Sequence, residues 1–295
     1  MVGGACMKHL LYGESVKGAT HVRNGVPLQD SYKIEQVSDD ISIIAVADGH
    51  GSEKCPKSKN GSMIAVNVFC KVMKDYINNY SDDMESLITW LNREGELRFA
   101  QNIGDEWQRR VRKSFNDSKA EKPLDEYGKI DWKSVYKLYG TTLLGLLVTP
   151  TYIFAFQIGD GDIQLVDENG VSSVVETEKI LGTETHSLSR VDAWRKAVSV
   201  IRRRDVSEGI PYLYLVSTDG FANSYLSDED FEKTCRDYFS MIREHGFDTV
   251  CGNLGKWLNE TSELGCGDDI TVVMVYIDED PNSSENPKVI PVEEK

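Results

Sequence analysis

The sequence predicts an α+β fold in which antiparallel strands form the sheet and helices flank it. Residues 140–175 form consecutive apolar strands, and Glu168–Gly170 is a strong hairpin turn between two of them. Short apolar runs such as Ile41–Ala47 end in turn residues, as buried strands do. The helical stretches come in blocks rather than alternating with single strands, so a parallel βαβ sheet is disfavoured.

The first eighty residues contain three predicted strands and one helix. Strands are predicted over Lys8–Lys17, Ser31–Val37 and Ile41–Ala47, with a turn-rich loop over residues 18–30. A helix is predicted over Ser62–Tyr80, because apolar residues recur there at helical spacing.

The remaining chain continues with helix, then strands, then helix again. More helix is predicted over Met84–Phe115, broken near Gly104, and an exposed loop over residues 116–133. The later elements are strands over 140–148, Tyr152–Ile158, Ile163–Asp167, Val171–Val175, Pro211–Thr218 and Ile270–Ile277, and helices over Asp228–His245 and Phe247–Glu260.

The composition indicates one folded domain with a short tail. The chain has 295 residues, of which 40% are hydrophobic, enough for a sizeable core. No repeat, heptad or linker divides it, so we expect one domain over residues 1–278. Residues 279–295 hold prolines and many charges, and we expect a disordered C-terminal tail there.

The charge and cysteine content exclude several classes of protein. The net charge is -15, from 33 basic and 48 acidic residues, which argues against binding nucleic acid or an anionic membrane. No apolar run is long enough to span a membrane, and residues 1–6 do not resemble a signal peptide. Six cysteines without a Cys-x-x-Cys pair suit a reduced, cytoplasmic protein.

Four aspartates lie at the ends of predicted buried strands. Asp48, Asp160 and Asp219 each follow a strand, and Asp268 precedes one. In an antiparallel sheet the end of one strand lies beside the start of its neighbour, so these carboxylates can converge. Taken singly, each fits an ordinary turn or cap residue, and four unrelated turns are the alternative interpretation.

A cluster of carboxylates predicts a divalent metal site. Gathered carboxylates repel one another unless cations lie among them, and oxygen ligands suit Mg²⁺ or Mn²⁺. Zinc is disfavoured because no His/Cys group has ligand spacing. Two ions about 4 Å apart can activate a shared water and clamp a phosphoryl group.

Five short segments, in this order, resemble the motifs of the metal-dependent protein phosphatases, the PPM-type or type 2C Ser/Thr family, and of its bacterial-type members in particular. The segments are Val46–Gly51, Gly140–Thr142, Ile158–Asp160, Ser217–Gly220 and Asp268–Thr271, and residues 24–30 resemble an early family segment. The likeness extends to about Ile277. It implies two antiparallel sheets packed as a sandwich flanked by helices, an αββα four-layer arrangement with metals at one end.

The resemblance also implies roles for residues of the site. Asp48 would bridge two Mn²⁺ or Mg²⁺ ions, the Gly49 carbonyl would ligate one, and Asp219 and Asp268 would complete the shell of the other. Asp160 is retained from the family's third-metal site, but Asn223 stands where an acidic residue is usual, so a third ion stays open.

Three further residues are implied to act on the substrate or the water. Asp30 would act through a metal-bound water. His50 would be the general acid for the leaving serine or threonine oxygen, the alternative being a turn residue. Arg23 is the candidate for gripping the phosphate, and a solvated loop arginine is the competing interpretation.

Other positions depart from the family pattern or vary within it. Gln29 replaces a frequent Glu, and Asp269 replaces a usual Asn and is expected to contribute little. Residues 176–209 occupy the place of the family's variable flap, and Arg202–Arg204 is predicted to be a solvated turn.

The predicted activity is hydrolysis of phosphoserine and phosphothreonine in proteins by direct attack of a metal-bridging hydroxide, in a monomer. The alternative is a pseudophosphatase that binds phosphoproteins without turnover, favoured only by Gln29 and Asn223. A third hypothesis, hydrolysis of small phosphate esters, shares the site and differs in substrate.

Overall fold

The computed structural model describes residues 8–80, 83–176, 186–204 and 211–278. The predicted tail over residues 279–295 lies outside these ranges, as do parts of the predicted flap. Within them, two five-stranded sheets with antiparallel pairing are flanked by helices. This arrangement confirms the predicted α+β class.

Each sheet has one strand order. The first sheet runs β1-β10-β9-β6-β7 and the second runs β2-β3-β4-β5-β8. The strands are β1 (Lys8–Val16), β2 (Ser31–Ser38), β3 (Ile41–Ala47), β4 (Leu143–Val148), β5 (Tyr152–Ile158), β6 (Asp162–Asp167), β7 (Gly170–Ser173), β8 (Val198–Arg203), β9 (Tyr212–Ser217) and β10 (Ile270–Asp278).

The helices fall into two groups along the chain. They are α1 (Ala19–Asn24), α2 (Ser58–Asn79), α3 (Met84–Glu94), α4 (Ala100–Asn116), α5 (Trp132–Lys137), α6 (Asp219–Ala222), α7 (Asp228–His245) and α8 (Phe247–Leu264), with a π-helix over Gly95–Phe99 and a 3₁₀ turn over Ala193–Lys196. No helix in the described part of the chain is long and apolar enough to cross a bilayer.

Three hydrophobic cores account for a four-layer arrangement. Alternate residues of β3 divide between them: Ile43 and Ala45 face α2–α5, whereas Ile44 and Val46 face the first sheet. On the other side, Leu215 of β9 and Met274 of β10 pack against α7 and α8. A strand that is buried on both faces is apolar at nearly every position, and Ser42 is the one polar residue of β3.

Four of the described elements lie in segments where the sequence predicted loop or no clear structure: α1, α5, α6 and β8. The three helices have only four or six residues, too few for an amphipathic period to be visible. The break in the long helical stretch is also not at Gly104, which lies inside α4. It falls at the π-helix, where a Cβ on Gly95 would come within 2.7 Å of Ser199 Oγ on β8.

The prediction of a solvated turn at Arg202–Arg204 is wrong, because Arg202 and Arg203 belong to β8 and because Arg202 and Arg204 contact other segments. Arg202 donates to the carbonyls of Ser173 and Val174, at 2.9 and 3.0 Å. Arg204 donates to the Thr149 carbonyl at 2.6 Å, and its guanidinium lies 4.8 Å from the Tyr212 ring centroid. Both arginines therefore join segments of the two sheets, because backbone carbonyls at strand ends need donors.

The topology brings several chain segments to one end of the sandwich. The ends of β3 and β5 lie beside the start of β4, because both pair antiparallel with it. The end of β9 lies beside the start of β10 in the other sheet. The acidic residues that flank these strands therefore gather at this end.

Candidate metal centre

Asp48 follows β3 and is held by two threonines at the start of β4. Its backbone N–H donates to Thr142 Oγ1 at 2.9 Å, and its carbonyl accepts from Thr141 Oγ1 at 2.7 Å and from the Thr142 N–H at 2.9 Å. Because the backbone is fixed on both sides, the Asp48 carboxylate has little freedom at the strand end.

Three of the predicted ligands come together. Asp48, Asp160 and Asp219 each offer a carboxylate oxygen, and these oxygens all lie within 4.8 Å of one another. Two of the residues come from the second sheet and one from the first. The convergence predicted from strand ends is therefore observed for these three carboxylates.

Asp268 lies at the edge of this group rather than inside it. Its carboxylate is about half exposed, and its Oδ1 accepts the Asp269 backbone N–H at 2.8 Å. It is still close enough for its charge to raise the pKa of both Asp48 and Asp219.

Asp30 is buried just before β2 and lies next to Asp48. Thr218 donates its hydroxyl to Asp30 Oδ2 at 2.8 Å. After burial, the charge of Asp30 is the main cause that raises the pKa of Asp48, so the two carboxyl groups are neighbours. The residue is only 6% exposed. Two neighbouring carboxylates repel each other unless a proton or a cation lies between them.

The carboxyl groups of the cluster have raised pKa values. Burial raises the pKa of Asp30 to about 8, and the neighbouring charge of Asp269 adds to the effect. Burial, followed by the charges of Asp160 and Asp268, raises the pKa of Asp219 to about 7. The pKa of Asp48 is well above its usual range, again chiefly through burial. The charged forms of these carboxyl groups therefore need a nearby positive charge to offset the cost of burying them.

The Gly49–Gly51 loop is packed tightly against residue 29. A Cβ on Gly49 would lie 2.7 Å from the Gln29 carbonyl oxygen, and one on Gly51 would lie 2.6 Å from Gln29 Oε1. Gly51 also has a φ of 51°, which favours glycine. Gln29 Oε1 itself is buried and has no hydrogen-bond partner among the residues that the structure describes.

These features fit a divalent cation. The donor set is oxygen only, as Mg²⁺ and Mn²⁺ prefer, and the partly buried carboxylates repel one another without positive charge. The unpaired Gln29 oxygen is an acceptor that a water in such a centre would satisfy.

The other residues considered in the sequence, His50, Arg23 and Asn223, each contact a different neighbour. His50 donates its backbone N–H to the Gly140 carbonyl at 3.2 Å, and a Cβ on Gly140 would be 2.7 Å from the ring. Arg23 is exposed on α1, where its guanidinium donates to Thr20 Oγ1 at 3.0 Å. Asn223 donates its side-chain amide to Asp219 Oδ2 at 2.9 Å.

Sequence reasoning missed the contributions of Thr218, Asp269 and His21. The expectation that Asp269 contributes little is wrong, because it is 3% exposed and accepts hydrogen bonds from three residues. The only signal for Thr218 and Asp269 was that each lies directly next to a predicted ligand.

The family profile described as "Protein phosphatase 2C" matches residues 17–259. The chain belongs to this family. A search of curated proteins found no match to the chain.

Solved structures of bacterial phosphatases share the fold. The catalytic domain of the Ser/Thr phosphatase PstP, in complex with two manganese ions, is 14% identical with a TM-score of 0.53, over 92% of this chain and 99% of that one. The Mycobacterium tuberculosis phosphatase PstP/Ppp is 13% identical with a TM-score of 0.52, over 91% and 98%. PppA of Pseudomonas aeruginosa, a regulatory component of the T6SS, is 12% identical with a TM-score of 0.56, over 91% and 98%.

Proposed function

We propose that this member of the protein phosphatase 2C family is an active Mn²⁺- or Mg²⁺-dependent phosphatase of phosphoserine and phosphothreonine proteins. The observation that carries the proposal is the group of carboxylate oxygens from Asp48, Asp160 and Asp219, all within 4.8 Å of one another. Carboxylates this close repel one another without positive charge, so the group supports a site for divalent cations.

The ligands of the proposed centre would be Asp48, the Gly49 carbonyl, Asp219, Asp160 and, at the edge of the group, Asp268. The PstP structure named above holds two manganese ions, and we propose the same number here. When bound, such ions lower the pKa of water and neutralise the charge of a phosphate.

The other residues act on the water and the ester. Asp30, held by Thr218, accepts a hydrogen bond from the water that attacks phosphorus. As the P–O ester bond breaks, His50 donates a proton to the leaving serine or threonine oxygen. Arg23 binds the phosphate oxygens, a task that its planar guanidinium suits. No phospho-enzyme is formed, because the attacking oxygen comes from water.

Hydrolysis of p-nitrophenyl phosphate and of a phosphothreonine peptide, with and without Mn²⁺, tests the proposal. We expect Mn²⁺-dependent turnover of both that is lost in Asp219→Asn. The matched control is Asp237→Asn, which removes a half-exposed acid from α7. Turnover that survives Asp219→Asn would contradict the proposed site.

The second candidate, a pseudophosphatase, is favoured by Gln29 and Asn223. Asn223 uses its amide to bind Asp219, and Gln29 adds no charge to the centre. This candidate predicts that the Mn²⁺-loaded protein binds the phosphopeptide but does not hydrolyse it. Turnover of the aryl phosphate with none of a phosphopeptide panel would instead favour a small-ester hydrolase.

A further inference from the structure

Asp269 is a buried acid whose two oxygens both accept hydrogen bonds. Oδ1 accepts from the Gly18 backbone N–H at 2.7 Å and from His21 Nδ1 at 2.8 Å. Oδ2 accepts from the Gln29 backbone N–H at 2.8 Å. The residue is 3% exposed, so these bonds are shielded from competing water.

An amide in this position could not make the same set of bonds. Its partners at Gly18 and Gln29 are backbone N–H groups, which only donate. Asparagine offers one acceptor oxygen and an NH₂ donor, so its nitrogen would face one of these N–H groups. The carboxylate of Asp269 is therefore required by its surroundings rather than interchangeable with the amide.

The segments that Asp269 joins both carry residues of the proposed metal centre. Gln29 directly precedes Asp30, and Asp269 directly follows Asp268. Three further contacts support the same junction: Thr20 N–H donates to the Gly267 carbonyl, Ala19 N–H donates to Ser262 Oγ, and Ser262 Oγ donates to the Asp268 carbonyl, at 2.9, 3.0 and 2.9 Å. A Cβ on Gly18 would lie 2.4 Å from the Asp268 carbonyl carbon, so the two backbones touch.

His21 lies between Asp269 and Asp268. Because a carboxylate only accepts, the ring carries a proton on Nδ1, and Nε2 is the nitrogen turned towards Asp268 Oδ1, 3.8 Å away. The imidazole is 18% exposed and lies directly beside the half-exposed Asp268 carboxylate.

From these contacts we propose that Asp269 and His21 are positioning residues of the metal centre, which set Asp268 and the segment of Asp30 relative to each other. The inference rests on the proposed function only in taking Asp268 as a metal ligand. Neighbours that orient a ligand typically change metal affinity by about 10-fold to 100-fold when removed. The pair thus acts on binding of the ion even though neither residue contributes an oxygen to the cluster.

The test is Mn²⁺ binding by isothermal titration calorimetry on the full chain, without substrate, for Asp269→Asn and His21→Ala. The control is Val22→Ala, which alters an exposed side chain on the same helix. We expect both variants to bind Mn²⁺ at least about 10-fold more weakly, and the control to bind as the wild type does. Circular dichroism melting confirms that each variant is folded, and His21→Ala keeps the test valid if Asp269→Asn does not fold.

Two outcomes would overturn the inference. One is unchanged Mn²⁺ affinity in both variants. The other is unchanged affinity with a raised KM for p-nitrophenyl phosphate in His21→Ala, which would make His21 a substrate contact. Since binding is measured without turnover, an inactive wild type would count against the proposed function and leave this inference intact.

Discussion

Thr218 donates its hydroxyl to the buried carboxyl group of Asp30, across 2.8 Å between the two sheets. The same hydroxyl oxygen accepts the Thr271 backbone N–H at 2.9 Å. One side chain at the end of β9 therefore links the segment before β2 to the start of β10. Its full burial means that water cannot replace either bond.

Replacing Thr218 with valine keeps the shape of the side chain and removes both hydrogen bonds. We expect Thr218→Val to lower the free energy of unfolding by about 1–3 kcal/mol, because Asp30 and the Thr271 N–H lose a partner while still buried. Urea denaturation measures the change. Thr218→Ser retains the hydroxyl and should stay much closer to the wild type; equal losses in both variants would contradict the role of the hydroxyl.

The raised pKa of Asp219 makes the metal-free protein sensitive to pH. The unfolded chain releases this proton near the usual pKa of 3.8, and the folded protein only near 7. The free energy of unfolding of the metal-free protein therefore falls as the pH rises from 3.8 to about 7. We expect Asp219→Asn in EDTA at pH 8 to melt at a higher temperature than the wild type, and to gain less from added Mn²⁺.

Differential scanning fluorimetry in EDTA and in Mn²⁺ checks this expectation. Asp237→Asn removes a carboxylate outside the cluster and should change neither quantity. An Asp219→Asn protein that Mn²⁺ still stabilises as strongly as the wild type would show that Asp219 is not a ligand.

The Gln29→Glu substitution tests the unpaired oxygen beside Gly51. Gln29 is 7% exposed, so a carboxylate there adds a further buried charge to the acidic group. We expect the metal-free variant to melt at a lower temperature at pH 8, and Mn²⁺ to raise its melting temperature by more than in the wild type. Gln36→Glu places the same change at an exposed position of β2 and is the control.

The buried residue His9 leads us to expect a second effect of pH, a loss of stability when the pH is lowered. The ring is 2% exposed, its Nδ1 lies 2.8 Å from Ser42 Oγ, and burial lowers its pKa to about 4. The unfolded chain takes up the proton near pH 6.5, whereas the folded protein takes it up only near pH 4. The stability that the neutral ring contributes is therefore present above pH 6.5 and is lost as the pH falls towards 4.

Unfolding free energies from urea titrations at pH 7, 6 and 5 measure this loss. We expect His9→Asn to flatten the decline between pH 7 and 5, whereas His245→Asn, at an exposed histidine, should leave it unchanged. A decline that is equally steep in His9→Asn would assign the acid sensitivity to other groups.

Most strands and long helices could be predicted because their apolar patterns are local. The bounds of β3, β5 and α7 match the predicted ones, since a buried strand is apolar at nearly every position and an amphipathic helix repeats its apolar face. The edge strand β8 was missed. It is half-buried along most of its length and contains arginines that bind carbonyls of other segments, so its pattern is not that of a core strand.

In the candidate site, too, some residues could be predicted from the sequence and others could not. Asp48, Asp160 and Asp219 could be named from the sequence, because each follows an apolar run that must be a strand, and strand ends meet. Asp269 was dismissed, because a residue that accepts hydrogen bonds from Gly18, His21 and Gln29 cannot be recognised without its distant partners.

The sequence alone determined the fold class, the family resemblance and the acidic residues of the site. Strand patterns and short motifs are formed by residues that are close in the sequence, and the order of the motifs can be read along the chain. Only the tertiary structure decided which carboxylates converge, that Asp268 lies at the edge of the group, and that Thr218, Asp269 and His21 hold the segments together. Those properties depend on contacts between residues up to 251 positions apart, and no local pattern encodes them.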